Sequence, residues 1–200
     1  MKIIDLHLST FIVLYAIVLI ISYTIYNKRK RQKFHTFYYW MLSELYYLLL
    51  IKVTILPIGI WNNSTSEQLK EEFSKTALVI QYIPFSRIEQ YFYSFWGSVQ
   101  LVGNIILLTP IVVMLVWFSK KRYSNKKIIL GIFCISIGIE VTQYIINRIT
   151  LCPSHVADIN DIIFNVVGGI LCLVVCRIIE KKFTIFPEKL RGIFGASKSV

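Results

Sequence analysis

Acidic and amide side chains recur at helical spacing in two apolar stretches of the C-terminal half of the chain. Two sets share the spacing i, i+3, i+7: Glu140, Gln143 and Asn147, and Asp158, Asp161 and Asn165. This spacing places each set on one face of a helix. Carboxylates in such a cluster could bind an amine or a divalent ion or do acid–base work, and amides could hydrogen-bond sugar or phosphate groups.

Placing acidic and amide side chains in an apolar membrane span costs free energy, and this cost indicates that the residues have a function. An acid at the centre of a membrane helix costs about 2.5–3.5 kcal/mol on insertion scales. Acids in apolar spans therefore usually face the bundle interior and mark a functional site. The predicted ligand-binding set consists of Glu140, Gln143, Asp158, Asp161 and Asn165, together with Asn104 in a further apolar stretch, Arg87 and His155. If a metal binds, Glu140, Asp158 and Asp161 are its candidate ligands.

A purely structural role for these residues remains an alternative. Asp158 could cap a helix N-terminus, with Asp161 favourably placed in the first turn. The glycines at Gly138, Gly168 and Gly169 could be sites of close helix packing. A structural role is also predicted for two further sets, namely Glu44 with Lys52 and Cys172 with Cys176.

Composition indicates the elements that must position this cluster. The chain has 200 residues, of which 56% are apolar and 16% charged, with a formal net charge of +11 and a mean hydropathy of +0.61. Soluble domains carry about 25% charged residues. Few charges combined with strong basicity indicate a polytopic membrane protein. They exclude a nucleic-acid-binding domain, a disordered tail and a secreted mini-protein.

Apolar stretches predict an all-α bundle of about five transmembrane helices. Each stretch is long enough, or nearly so, to cross a hydrocarbon core that needs about 20 helical residues. The predicted spans are Leu6–Tyr26, Phe37–Trp61, Val99–Phe118, Ile128–Asn147 and Ile159–Ile179. Period-2 alternation is absent, so the helix is the expected way to satisfy the backbone within the bilayer.

Basic residues predict the orientation of the bundle. They concentrate in the connection at Lys28–Lys33, in the connection at Lys120–Lys127 and in the C-terminal tail. The positive-inside rule then places the N-terminus outside and the C-terminus in the cytoplasm. The cluster of acids and amides opens toward the outer leaflet.

The long outer connection is predicted to lie on the membrane surface. Ser64–Gln81 has an amphipathic helical pattern, in which Ser64 and Glu67 form a capping box and Leu69, Phe73, Ala77 and Ile80 share a face. The stretch Ile88–Trp96 has the aromatic composition of an interfacial segment. The expected parts are therefore helices at 1–60, this segment at 61–98, a three-helix core at 99–180 and a basic tail at 181–200.

Several of these motifs together resemble the VanZ-like family. They are Asn104 with Pro110, Glu140 with Gln143, the run Asp158-x-x-Asp161-x-x-x-Asn165-x-x-Gly168-Gly169, and Ile83-Pro84-Phe85. The resemblance covers Ile83–Arg177. Three positions depart from the family pattern, namely Leu108, Val112 and His155. At His155 many relatives carry arginine, so a fixed positive charge there is in doubt.

The resemblance implies a role in the bacterial envelope, of the kind associated with resistance to the lipoglycopeptide teicoplanin. An outer-leaflet pocket would bind a lipid head group, a lipid-linked cell-wall precursor or the lipoglycopeptide itself. An alternative is a membrane-embedded enzyme, with a divalent cation such as Mg²⁺ as its cofactor, acting on a lipid-linked substrate. A third is a small transporter or flippase. No nucleic-acid partner is expected.

Overall fold

Helices account for most of the described part of the chain, as predicted. The computed structural model describes residues 2–28, 34–61, 67–77, 80–86, 88–119 and 121–182. Its helices are α1 Leu8–Lys28, α2 Phe34–Ile55, α3 Glu67–Ala77, α4 Ile88–Tyr93, α5 Phe95–Leu107, α6 Thr109–Val113, α7 Asn125–Thr150 and α8 Ile159–Lys182. A π-helical turn at Met114–Phe118 extends α6. Short strands lie at β1 Lys2–Ile4, β2 Ile58–Ile60, β3 Ile80–Gln81 and β4 Ala157–Asp158.

Four stretches in the described part of the chain are long and apolar enough to cross a membrane, rather than the predicted five or so. They are Leu8–Ile25, Phe95–Phe118, Asn125–Thr150 and Ile159–Lys182. The predicted span that does not meet this criterion is the one at α2, a helix of 22 residues. Its tyrosines, together with Glu44 and Lys52, lower its hydropathy below that of the other four.

The bundle has two chemically different ends. At the first, β1 pairs antiparallel with β2, which brings the start of α1 to the end of α2. The indole Nε1 of Trp61 donates to the carbonyl of Leu151 at 2.9 Å, so the end of α7 lies there too. The starts of α5 and α8 meet at the same end, where Gln100 contacts Asp161. We call this the polar end.

The opposite end holds basic residues. Arg177 near the end of α8 donates to the Tyr123 carbonyl at 3.1 Å and to Asn125 Oδ1 at 2.9 Å, just before and at the start of α7. The ring of Tyr39 stacks on Phe118 with centroids 4.8 Å apart, so the first turns of α2 also lie at this end of the bundle. We call this the basic end, after the described residues Lys121, Arg122, Lys126, Lys127, Lys181 and Lys182.

An apolar core fills the bundle on the basic side of its middle. Its buried members are Leu108, Ile111, Val112, Val116, Ile128, Ile132, Leu173 and Cys176. Leu108 and Val112, two of the departures from the family pattern, are fully buried here. Cys172 packs against this cluster, so both cysteines of α8 are packing residues as predicted.

The predicted third span is interrupted. At Leu108 the chain leaves α5, and α6 begins at Thr109 with Pro110 in its first turn. Proline has no N–H to donate to the preceding turn and is best accommodated at the start of a helix. The break and the π-helical turn after it separate the polar half of this span from its apolar half.

The segment between α2 and α5 differs from its predicted form in one respect. The helix α3 ends at Ala77 instead of continuing to Gln81, because Ile80 and Gln81 form β3 and pair in parallel with Ala157 and Asp158 of β4. Tertiary pairing overrides the helical pattern at this point. The capping residue Ser64 and the side chains of Leu69, Phe73 and Ala77 lie outside the described parts of the chain.

Candidate functional site

The predicted polar residues meet around one open cavity at the polar end. Its volume is about 610 Å³, and it lies among α5, α7 and the start of α8. Seven of the predicted site residues line it: Asn104, Glu140, Gln143, His155, Asp158, Asp161 and Asn165. The eighth, Arg87, lies outside the described residues. We call this space the polar cavity.

Glu140 links α7 to the turn that begins α8. Its Oε2 accepts a hydrogen bond from the backbone N–H of Asp158 at 2.9 Å, and its side chain is buried. Among the described residues no donor reaches its other oxygen, Oε1. Glu140 therefore positions the start of α8 with one oxygen and leaves the second open to a ligand.

Asp158 caps α8, as the structural alternative expected for it, and also contacts α4. Its Oδ1 accepts the backbone N–H of Asn160 at 2.8 Å, the arrangement of a helix N-cap. Its Oδ2 accepts the Tyr91 hydroxyl at 3.3 Å. Burial, followed by the nearby charges of Asp161 and Asp158, raises the pKa of Tyr91, so the hydroxyl keeps its proton and remains a donor.

Asp161 joins α8 to α5. Both of its oxygens accept from Gln100 Nε2 at 3.2 Å, and Oδ1 also accepts from Asn104 Nδ2 at 2.5 Å. Gln100 and Asn104 are four residues apart on one face of α5. Sequence analysis missed Gln100, although its spacing from Asn104 was a usable signal.

Two buried amides leave an acceptor unpaired in the wall of the cavity. Gln143 Nε2 donates to the Thr54 carbonyl of α2 at 2.8 Å, and Asn165 Nδ2 donates to Ser136 Oγ at 3.0 Å. Their exposed fractions are 8% and 1%. Gln143 Oε1 and Asn165 Oδ1 are buried without a hydrogen-bond partner in the described structure. Such groups are costly, and a ligand is one way to satisfy them.

His155 lies at the cavity margin in the loop between α7 and α8. Its Nε2 is 3.0 Å from the Ile55 carbonyl, so this nitrogen carries the ring proton and donates it. Asn147 holds the loop by accepting the backbone N–H groups of Ser154 and His155 at 3.2 and 3.4 Å. Asn147 shares a helix face with Glu140 and Gln143, but its side chain holds the loop between α7 and α8 in place.

A turn next to the cavity depends on a residue that sequence analysis missed. Phe85 has φ +60°, an uncommon conformation for a residue other than glycine. The side-chain oxygen of Asn160 accepts the Phe85 N–H at 2.8 Å and holds this turn against the start of α8. The Ile83-Pro84-Phe85 element is thereby fixed beside the cavity. No spacing signal connects Asn160 to a residue 75 positions earlier.

The three candidate packing glycines behave differently. A Cβ at Gly168 would lie 1.8 Å from the Ile105 carbonyl oxygen of α5, and one at Gly169 would lie 2.7 Å from the Ile132 side chain of α7. No atom lies within 4 Å of a Cβ at Gly138, which is exposed. The expected packing role therefore suits Gly168 and Gly169 and does not suit Gly138.

Glu44 and Lys52 do not form a second polar site. Glu44 accepts a hydrogen bond from Ser22 of α1, whereas Lys52 donates to the Leu6 carbonyl and lies 3.9 Å from Asp5. Both side chains attach α2 to the α1 region, the structural role expected for them.

The carboxylates do not converge on a common point. Within the described residues, no group of three or more His, Cys, Asp or Glu side chains is arranged to hold a metal ion. Glu140, Asp158 and Asp161, the candidate metal ligands, each have separate protein partners instead. The arrangement suits hydrogen bonding and charge pairing with a ligand.

Apolar helices long enough to cross a membrane, with a polar cavity at one end of the bundle, define the class as a polytopic membrane protein. A model of the VanZ/LLP1 family matches residues 44–180, and the chain belongs to this family. The match confirms the resemblance and begins earlier, in α2, which supplies Thr54 to the cavity. Comparisons with curated proteins and with solved structures found no match.

Proposed function

We propose that the polar cavity opens to the outer leaflet of a bacterial cytoplasmic membrane and binds a lipid head group or a lipid-linked ligand. Such binding would serve envelope maintenance and resistance to glycopeptides of the teicoplanin type. The observation that carries the proposal is the pair of buried, unpaired acceptors, Gln143 Oε1 and Asn165 Oδ1, in the wall of an open cavity within an apolar bundle. A pocket of about 610 Å³ is large enough for a head group.

The form of the cavity favours a binding pocket over a transport path. On its basic side, the apolar core of Leu108, Ile128 and Leu173 follows directly. Glu44, the polar residue that a path would need at middle depth, contacts Ser22 of α1 instead. The described helices thus offer a polar site at one end and an apolar barrier behind it.

The distribution of lysine and arginine residues supports this orientation of the bundle in the membrane. Lys and Arg residues favour the cytoplasmic side of a membrane protein, so the basic end is proposed to face the cytoplasm. Because the helices place the polar end opposite, the start of α1 lies outside and the end of α8 lies inside. The exposed aromatic residues Phe92, Tyr93, Phe95 and Trp96 then lie at the outer interface, where such side chains concentrate.

Labelling of introduced cysteines tests this orientation. Gln68→Cys on α3 is expected to react with a membrane-impermeant maleimide in intact cells, whereas Ser124→Cys before α7 is expected to react only after permeabilisation. Both positions are exposed. The parent protein, with its four native cysteines, sets the background. Labelling of Ser124→Cys, and not of Gln68→Cys, in intact cells would invert the assignment.

Susceptibility to teicoplanin tests the proposed role. Cells that produce Glu140→Gln or Asp161→Asn at wild-type membrane levels are expected to lose most of the protection that the protein gives, since each change removes a charge from the cavity at nearly constant shape. Glu71→Gln is the matched control, because it makes the same change on an exposed side chain of α3. Full protection by both cavity variants would remove the cavity from the mechanism.

A further inference from the structure

We propose that the ligand of the polar cavity carries a primary ammonium group, either on a phospholipid head group or on an amino sugar of a lipid-linked saccharide. This inference rests on the proposed function and narrows it. It selects one chemistry among the amines, divalent ions and phosphates that an acid–amide cluster could bind.

The unpaired hydrogen-bonding atoms of the residues that line the cavity are acceptors. Gln143 Nε2 is engaged by the Thr54 carbonyl, which can only accept, and this contact fixes Gln143 Oε1 as the atom left unpaired. Asn165 Oδ1 is the second unpaired acceptor, and Glu140 Oε1 is the third open oxygen. A primary ammonium has three N–H donors and no acceptor, which complements this set.

The charged side chains that line the polar cavity also favour an ammonium group as the ligand. Glu140, Asp158 and Asp161 line the cavity, and none of its described lining residues is lysine or arginine. An anionic phosphate would meet like charge from these acids, and the described part of the lining offers it no lysine or arginine. A buried carboxylate is instead stabilised by a paired cation, which an ammonium ligand supplies.

A divalent cation fits the cavity less well. Calcium takes six to eight oxygen ligands at about 2.3–2.6 Å and magnesium demands near-ideal octahedral geometry. The described acids form no converging group of three or more. An ammonium group needs no such coordination shell, because one carboxylate and one or two neutral acceptors are enough to satisfy its three N–H donors.

The surroundings place the site at head-group depth. Trp96 lines the cavity, and its side chain is 77% exposed, as expected for an interfacial residue. Val99, Leu107 and Ile139 add an apolar wall that suits the glycerol and acyl portion of a lipid. An ammonium next to a glycerophosphate, or on a membrane-linked sugar, lies at this level.

A competition between two lipids that differ only in N-methylation tests the inference. The purified full-length protein is placed in phosphatidylglycerol nanodiscs that contain equal minor amounts of phosphatidylethanolamine and phosphatidylcholine, and retained lipids are counted by native mass spectrometry. We expect phosphatidylethanolamine to be retained about tenfold over phosphatidylcholine, whose quaternary ammonium has no N–H to donate.

Glu140→Gln is expected to bring the ratio of the two retained lipids close to one, and the control Glu71→Gln is expected to leave this ratio unchanged. Gln143→Met, which removes one acceptor, is a second variant with the same expected direction.

The outcomes separate this inference from the proposed function. Retention of phosphatidylglycerol or phosphatidylcholine that depends on the cavity, with no preference for phosphatidylethanolamine, would overturn the ammonium inference and leave the proposed function standing. Retention of every lipid unaltered by Glu140→Gln and Gln143→Met would overturn both. Displacement of the bound lipid by ethanolamine at lower concentration than by glucosamine supports a phospholipid amine, and the reverse order supports an amino sugar.

Discussion

Replacing Gly168 by alanine is expected to destabilise the protein strongly, whereas replacing Gly138 by alanine is expected to change its stability little. A Cβ at Gly168 would lie 1.8 Å from the Ile105 carbonyl oxygen, and that oxygen belongs to the backbone of α5. The two helices would have to separate, because no side-chain rotation relieves the contact. Overpacking in a core costs about 1–3 kcal/mol and occasionally more.

Gly138 provides a matched control for this prediction. Both glycines lie in apolar helices, and both substitutions add one methyl group, but Gly138 has no atom within 4 Å of the added Cβ. In an exposed helix interior, glycine to alanine is itself favourable by up to about 1 kcal/mol. Thermal unfolding of the purified proteins in detergent measures both. Equal melting temperatures for Gly168→Ala and wild type would contradict the close approach of α5 and α8.

Separation of α5 from α8 would also disturb the cavity. Gln100 and Asn104 of α5 donate to Asp161 of α8, and these contacts depend on the distance between the two helices. The packing at Gly168 lies two turns further along α8 than Asp161. It therefore sets the geometry of the site as well as the stability of the bundle.

Helical spacing in the sequence was sufficient to predict which polar residues gather. Glu140 and Gln143 on α7, with Asp158, Asp161 and Asn165 on α8, face one cavity because a helix brings residues three, four and seven apart to one side. The bundle, the acid–amide cluster and the family could be predicted from such local patterns.

Contacts between distant parts of the chain could not be predicted in this way. The donation from Gln143 to the Thr54 carbonyl spans 89 residues, and that from Phe85 to Asn160 spans 75. Each depends on how the helices pack. The same cause explains why α3 is shorter than predicted, since Ile80 and Gln81 pair with β4, which lies more than 70 residues further along the chain. The count of apolar spans is about four rather than five for a different reason: aromatic and charged residues lower the hydropathy of α2, although this helix also runs from the basic end to the polar end.

Loss of two carboxylate charges from the cavity lining is expected to release the natural ligand. Glu140→Gln combined with Asp161→Asn preserves the size of both side chains and removes both charges from the cavity. Hydrogen bonds to charged groups stabilise by about 1.5–3 kcal/mol, and each 1.4 kcal/mol changes affinity tenfold. The double variant should therefore retain the ligand at least about tenfold less well.

The matched control is Glu71→Gln combined with Glu72→Gln on α3. It also converts two carboxylates to amides, but on exposed side chains outside the cavity. Gel filtration and thermal unfolding establish that both double variants are folded before their ligands are compared.

The most direct test of a ligand-binding cavity is the identity of what copurifies with the protein from its native membrane. Mass spectrometry of the extracted lipids is expected to find one lipid or lipid-linked species enriched over the bulk membrane in the wild type and in the Glu71→Gln, Glu72→Gln control, and depleted in Glu140→Gln, Asp161→Asn. An identical lipid profile for all three proteins, with nothing enriched, would contradict the binding role assigned to the polar cavity.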